Sequence, residues 1–204
     1  MDVAVAVVQG YLRLNGFFTV TEFPVLERDN HGVRTVTDVD VIGVRFPGAG
    51  RWIPGKRTDE LVLGPDPALK LSDDSLEVLI CEVKEGAAAT NRSLLTREVV
   101  EIVLRRLGCC GQGHAEAAER IVSQGAALTH IGVGRTPCRI RVAVFAGGGS
   151  DRRPYLFVPL SAVVRFMRQQ FVAHEGLLTH AQWKEEALAY VSLLAKINAL
   201  SDER

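Results

Sequence analysis

The run SLEVLICEVK, residues 75–84, limits what this chain can fold into more than any other stretch. From Leu79 it reads as a buried strand should, with Leu79, Ile80 and Cys81 apolar and strand-friendly. Glu82 and Lys84 then follow, with only Val83 between them. A buried charge is costly unless it is paired or bound to a metal. Side chains at i and i+2 of a strand share a face. Glu82 and Lys84 therefore point the same way, with Ile80 and Val78 behind them.

An earlier run repeats the pattern. RTVTDVDVIGVRF, residues 34–46, is rich in β-branched residues and reads as a strand. Asp38 and Asp40 share a face there, followed by Ile42. If the two strands are neighbours, Asp40 and Glu82 meet at the edge of the sheet. Two carboxylates directed into a small space suit a hard cation such as Mg²⁺, which keeps waters and adds phosphate oxygens. A lysine beside them can hold or deprotonate water and balance a developing anion. Partly desolvated and next to a bound cation, its pKa is expected to fall. The plain alternative is a salt bridge or a solvated strand end.

The rest of the chain supplies an α/β frame. Val5, Val8 and Leu12 have helical spacing, with Gly16 as the residue after the end. FFTVTEFPV predicts a strand ending near Pro24, and RDNHG is turn chemistry. A long connection from Pro47 to Asp74 holds a short strand candidate at ELVLG. The period then changes. LLTREVVEIVLRRLG sets Leu95, Val99, Ile102 and Val103 on one helical face and ends at Gly108. HAEAAERIVSQGAAL predicts a second helix. RIRVAVFAGGG reads as a strand, with YLFVPL expected to pair with it as a hairpin. Ser161 is expected to cap one further helix, and Thr179 with Gln182 a last one from Trp183 to Leu200. Helix, strands, helices, strands and helices imply an α/β sheet with helices packed on it. One domain spanning 1–204 is expected, with a core of about 3–145 and a C-terminal hairpin and helices over 146–204.

Composition narrows the partners. Lys plus Arg and Asp plus Glu both number 24, so the net charge is zero and any nucleic-acid contact must be a local patch. RWIPGKR, residues 51–57, is such a patch: Trp52 among Arg51, Lys56 and Arg57 suits phosphate contact and base stacking, or else an exposed basic loop. GGGSDRRP lacks the Lys-Ser/Thr of a phosphate cradle and reads as a turn. The five histidines form no HExxH, and no GxSxG occurs, which argues against a zinc or serine hydrolase. Four cysteines without CxxC suggest free buried thiols and a cytoplasmic setting. No apolar run is long enough for a membrane span, and the N-terminus does not read as a signal peptide.

At TDVDVIGVRF and LEVLICEVKEG the chain resembles the PD-(D/E)xK nuclease superfamily, over roughly Val3 to Phe145. The resemblance implies a restriction-endonuclease-like core, a central mixed β-sheet flanked by helices on both faces. It implies that Asp40 and Glu82 ligate Mg²⁺ or Mn²⁺, with the Val83 carbonyl and Asp38 as further ligands, and that Lys84 orients or activates water. The implied activity is hydrolysis of phosphodiester bonds, in DNA first among nucleic acids. Asn91 and Arg92, with Arg51, Trp52, Lys56 and Arg57, would touch the nucleic acid. The first helix offers only Gln9 where many members carry a glutamate, and Val39 stands where a proline usually precedes the acid. Two alternatives keep the fold without that role: a catalytically silent binding or regulatory module, and a subunit of a defence or repair assembly. A homodimer or protein contact through the C-terminal helix belongs to the second.

Overall fold

The first helix starts where its capping residue dictates. Asp2 accepts a hydrogen bond from the Ala4 N–H at 2.8 Å, and α1 (Val3–Leu14) follows with Val5, Val8 and Leu12 buried. The structure, a computed structural model, describes residues 2–30, 32–53, 61–87, 96–109, 113–131, 136–149 and 154–200.

Gly16, at φ 84°, turns the chain into β1 (Phe18–Asp29), which pairs antiparallel with β2 (Gly32–Arg45). Pro24 does not end β1. It sits inside the strand opposite Asp38, tolerated because β1 is the edge of the sheet. Within the long connection, β3 (Arg51–Ile53) and β4 (Leu61–Leu63) form a separate two-stranded sheet. β5 (Leu76–Ala87) returns to the main sheet, antiparallel to β2 and parallel to β7 (Thr136–Gly148).

Two helices separate β5 from the next strands. Thr96 caps α2 (Arg97–Leu107) through the Val99 N–H, and Gly108 ends it in the left-handed region, as the spacing predicts. α3 (His114–Gln124) ends at Gly125, φ 76°, where an added Cβ would overlap the main chain of Pro154. The alanines that follow, read as helix from spacing alone, instead open β6 (Ala126–Ile131), antiparallel to β7.

β8 (Leu156–Pro159) corrects the expected C-terminal hairpin: it runs parallel to β7, Ala143 beside Leu156. α4 (Leu160–Ala173) begins after Pro159, with no side-chain cap from Ser161. A single turn, α5 (Glu175–Leu178), leads to α6 (Glu186–Lys196), whose N-cap is Glu185 rather than Thr179.

The main sheet has six strands in the order β1-β2-β5-β7-β6, with β8 also on β7. On one face Val41, Leu79, Cys81 and Phe145 pack with α1, α4 and α6. On the other, Ile42, Val78, Ile80 and Val142 pack with α2 and α3. The chain is therefore α/β with a mixed sheet between two helical layers. Cys81, Cys109 and Cys138 are buried. Among the described residues, no helix is long and apolar enough to cross a membrane.

Candidate active site at the end of β5

Glu82, Val83 and Lys84 lie near the C-terminal end of β5. The ladder with β2 runs from Arg45 opposite Glu77 to Val41 opposite Cys81, and stops. The next residue of β2 is Asp40. Its carboxylate takes over the strand contact: Oδ2 accepts a hydrogen bond from the Val83 N–H at 2.7 Å. A side chain thus straps β2 to β5 at the point where the two strands part.

The pleat also breaks there. Val39 packs on the α2/α3 side and Val41 on the α1 side, although residues two apart on a regular strand share a face. On β1, Thr21 pairs with Val41 and Phe23 with Val39, which puts Glu22 opposite Asp40. Glu22 has φ 50°, a left-handed backbone uncommon outside glycine. Such outliers cluster where the surrounding structure over-determines a geometry.

Glu82 is 2% exposed, and Lys84 Nζ forms an ion pair with its Oε1 at 2.7 Å. The Lys84 side chain keeps 38% of its surface open. Burial, the largest influence, holds the Asp40 carboxyl above the ordinary aspartate value; the Val83 N–H and Lys84 oppose it, while Asp2 and Asp38 add to it. For Lys84 the largest single influence is again burial, which acts downward, but Glu82, Asp40 and Asp2 together outweigh it and leave the ammonium above its ordinary value. A lowered lysine is what the sequence predicts beside a bound cation; in the protein alone its three carboxylate neighbours set the opposite direction.

Asp2 belongs to this electrostatic group, and no motif singles it out. The acid sought inside the first helix is absent, but the N-cap one residue before that helix supplies a carboxylate whose charge reaches both Asp40 and Lys84. The signal available in the sequence is an Asp directly ahead of the apolar helical run VAVAVV.

Other candidates stand apart. Asp38 is exposed on β2 and influences Asp40 only through its charge. Val83 pairs with Phe145 in the β5–β7 ladder. Arg51 and Trp52 lie in β3, while Lys56, Arg57, Asn91 and Arg92 lie outside the described residues.

The donor set suits a hard divalent cation. Among the described residues no three of His, Cys, Asp and Glu converge as a ready cage. Mg²⁺ rarely needs one: one or two carboxylates, waters and substrate phosphate oxygens suffice. Asp40 and Glu82 are the carboxylates that could serve as such ligands. Comparison with family models, with curated proteins and with solved structures returned no match.

Proposed function

We propose that this chain is a metal-dependent nuclease of the restriction-endonuclease-like type, hydrolysing phosphodiester bonds of nucleic acid, with DNA as the first substrate. The observation that carries the reading is the strap from Asp40 to the Val83 N–H, which sets one carboxylate against the strand that bears Glu82 and Lys84. Asp40 and Glu82 would hold Mg²⁺ or Mn²⁺. When bound, the ion supplies Lewis acidity and a more acidic water.

The chain's own residues do the rest. The Val83 N–H fixes the Asp40 carboxylate before any ligand arrives. Burial of Glu82 strengthens every charge interaction around it. Lys84, charged and partly open, donates hydrogen bonds to an attacking water and offsets negative charge on the phosphoryl oxygens. In the metal-free chain its carboxylate neighbours favour the charged form, and a charged Lys84 orients water. The test is cleavage of linear and circular DNA, and of RNA, with Mg²⁺ or Mn²⁺, by wild type, Asp40→Ala and Lys84→Ala. No cleavage of any substrate, or equal cleavage by all three proteins, sinks the proposal.

One observation favours the catalytically silent reading: Lys84 already pairs with Glu82. In that reading the pair merely neutralises a strand end. Calorimetric titration with Mn²⁺ separates the two. Binding that disappears in Glu82→Ala supports the enzyme, and no binding supports the silent module.

A further inference from the structure

A second polar feature lies on the α1/α4/α6 side of the molecule. Between the turn that precedes α6 and the flank of α6 is a cavity of about 460 Å³. His180, Gln182, Trp183 and Lys184 line it from the turn, and Ser192 and Lys196 from the helix. Ser192 and Lys196 are four residues apart and so occupy one stripe of α6.

Ser192 is the unusual member. It is 4% exposed, and its Oγ has no hydrogen-bond partner among the described residues. Serines inside helices commonly return the hydroxyl to a carbonyl one turn back, and this one does not. A buried hydroxyl without a partner is disfavoured and points to a missing acceptor or donor.

The charge around it has one sign. Lys184 and Lys196 line the cavity with His180, and among the described residues no Asp or Glu does. Glu185, next to Lys184 in the chain, is ion-paired with Arg13 on α1. The aromatic wall is fixed: Trp183 Nε1 donates to the Leu178 carbonyl at 2.8 Å, and the ring packs against Phe171 at 6.0 Å between centroids. Two ammonium groups, a hydroxyl and an amide match an anion with several acceptor oxygens. The volume exceeds that of a bare anion and leaves room for the group that carries it, beside an aromatic ring.

We propose that this cavity binds the phosphate group of a nucleotide, with Lys184 and Lys196 neutralising it and the Ser192 hydroxyl donating to one of its oxygens. The inference does not depend on the nuclease reading. Arg13, which anchors the turn, and Asp2, which neighbours Asp40, lie at opposite ends of α1, roughly 17 Å apart along its axis.

The test uses the full chain in a chelator-containing buffer, so that no divalent ion contributes. The probes are inorganic phosphate, adenosine 5′-monophosphate and a single-stranded oligonucleotide, titrated into wild type, Ser192→Ala and the double variant Lys184→Ala/Lys196→Ala. At least one probe binds wild type, and the double variant weakens it by roughly tenfold or more. Ser192→Ala weakens it several-fold without lowering the thermal midpoint of the free protein, because its hydroxyl has no partner to lose. Preference for the small probes assigns a free nucleotide or phosphate; preference for the oligonucleotide assigns the backbone of a strand. The proposal is overturned if no probe binds up to tens of millimolar, if binding ignores both variants, or if Ser192→Ala lowers the thermal midpoint and leaves binding intact.

Discussion

Asp40 combines two roles that one pair of substitutions separates. Its Oδ2 accepts from the Val83 N–H, and its charge is the one the proposed cation needs. Asp40→Asn keeps an acceptor of the same shape and removes the charge. Since burial already holds the Asp40 carboxyl above its ordinary value, the charged form is disfavoured where it stands, and the amide is expected to leave stability unchanged or slightly higher. Asp40→Ala strands the Val83 N–H at a point where the β2–β5 ladder has ended. An unpartnered, largely buried donor costs about 1–2 kcal/mol. For a chain of this size that lowers the thermal midpoint by roughly 2–8 °C. Both variants lose cleavage by at least about a hundredfold, as expected when a preorganised charge is removed from a reacting centre. Both also lose stabilisation by Mn²⁺, which wild type gains in proportion to the logarithm of free metal. The assays are a thermal melt with and without Mn²⁺ and cleavage of a labelled duplex well below either midpoint. An Asp40→Asn protein that cuts like wild type, or melts like Asp40→Ala, refutes the assignment.

Four further outcomes follow from the geometry. Lys84→Met removes the cation that competes for Glu82, so cleavage falls while calorimetry shows Mn²⁺ bound at least as tightly as by wild type. Glu77→Gln leaves Arg139 and Arg141 facing a neutral partner and costs about 3 kcal/mol, seen as a urea midpoint lower by roughly 1–2 M. Burial and then Asp66 hold the Tyr11 phenol well above its ordinary value of 10. That contribution is complete below pH 10 and is lost as pH rises, when only the unfolded chain ionises, by up to about 1.4 kcal/mol per pH unit; Tyr11→Phe flattens this alkaline limb in urea titrations, and the similarly raised thiol of Cys81 leaves a residual slope. Gly147→Ala sets a Cβ against the Glu85 carbonyl, in the bulge that follows Lys84, and cleavage by the fully folded variant drops although no charge has changed.

Local pattern carried much of this fold, and its limits are physical. The α1 stripe and the Gly108 stop of α2 are set by near neighbours, so spacing alone reveals them. β6 is hidden because alanine favours helices, and only Gly125 and pairing with β7, distant in sequence, make the segment a strand. Pro24 marks a strand end unless the strand is known to be an edge, which is a fact of topology. The direction of β8 is likewise set by which part of β7 is open to pairing, not by its own four residues. The start of α6 escapes a capping motif because tertiary contacts fix it: Arg13 holds Glu185, and Leu178 holds Trp183. At the site, alternation puts Glu82 and Lys84 on one face, and the β2–β5 register places Asp40 next in line. The side-chain strap, the broken pleat at Asp40 and the charge of Asp2 needed three dimensions.

The sheet carries a second row of buried charge, and the contrast explains why only one row is a candidate site. Arg45, Glu77 and Arg139 are aligned across β2, β5 and β7 at the opposite end of β5. Arg139 and Arg141 are as tell-tale an i, i+2 pair as Glu82 and Lys84. Yet Glu77 is fully enclosed and its oxygens are spoken for: Oε1 accepts from the Ser72 N–H, the Ser75 hydroxyl and Arg139, and Oε2 from Arg141. Arg45 is spent on the carbonyls of Ala49 and Ser72 and on Asp73. The Nε–H groups of Arg45 and Arg141 have no partner among the described residues, but the carboxylate itself is fully engaged, so a cation would have to displace bonds already made. The Asp40–Glu82–Lys84 group is built differently. Carboxylates from three segments crowd one lysine, the lysine is still 38% exposed, and burial holds the Asp40 carboxyl above its ordinary value. Three carboxylates there face one ammonium, and on the proposed reading a divalent cation would balance the remainder.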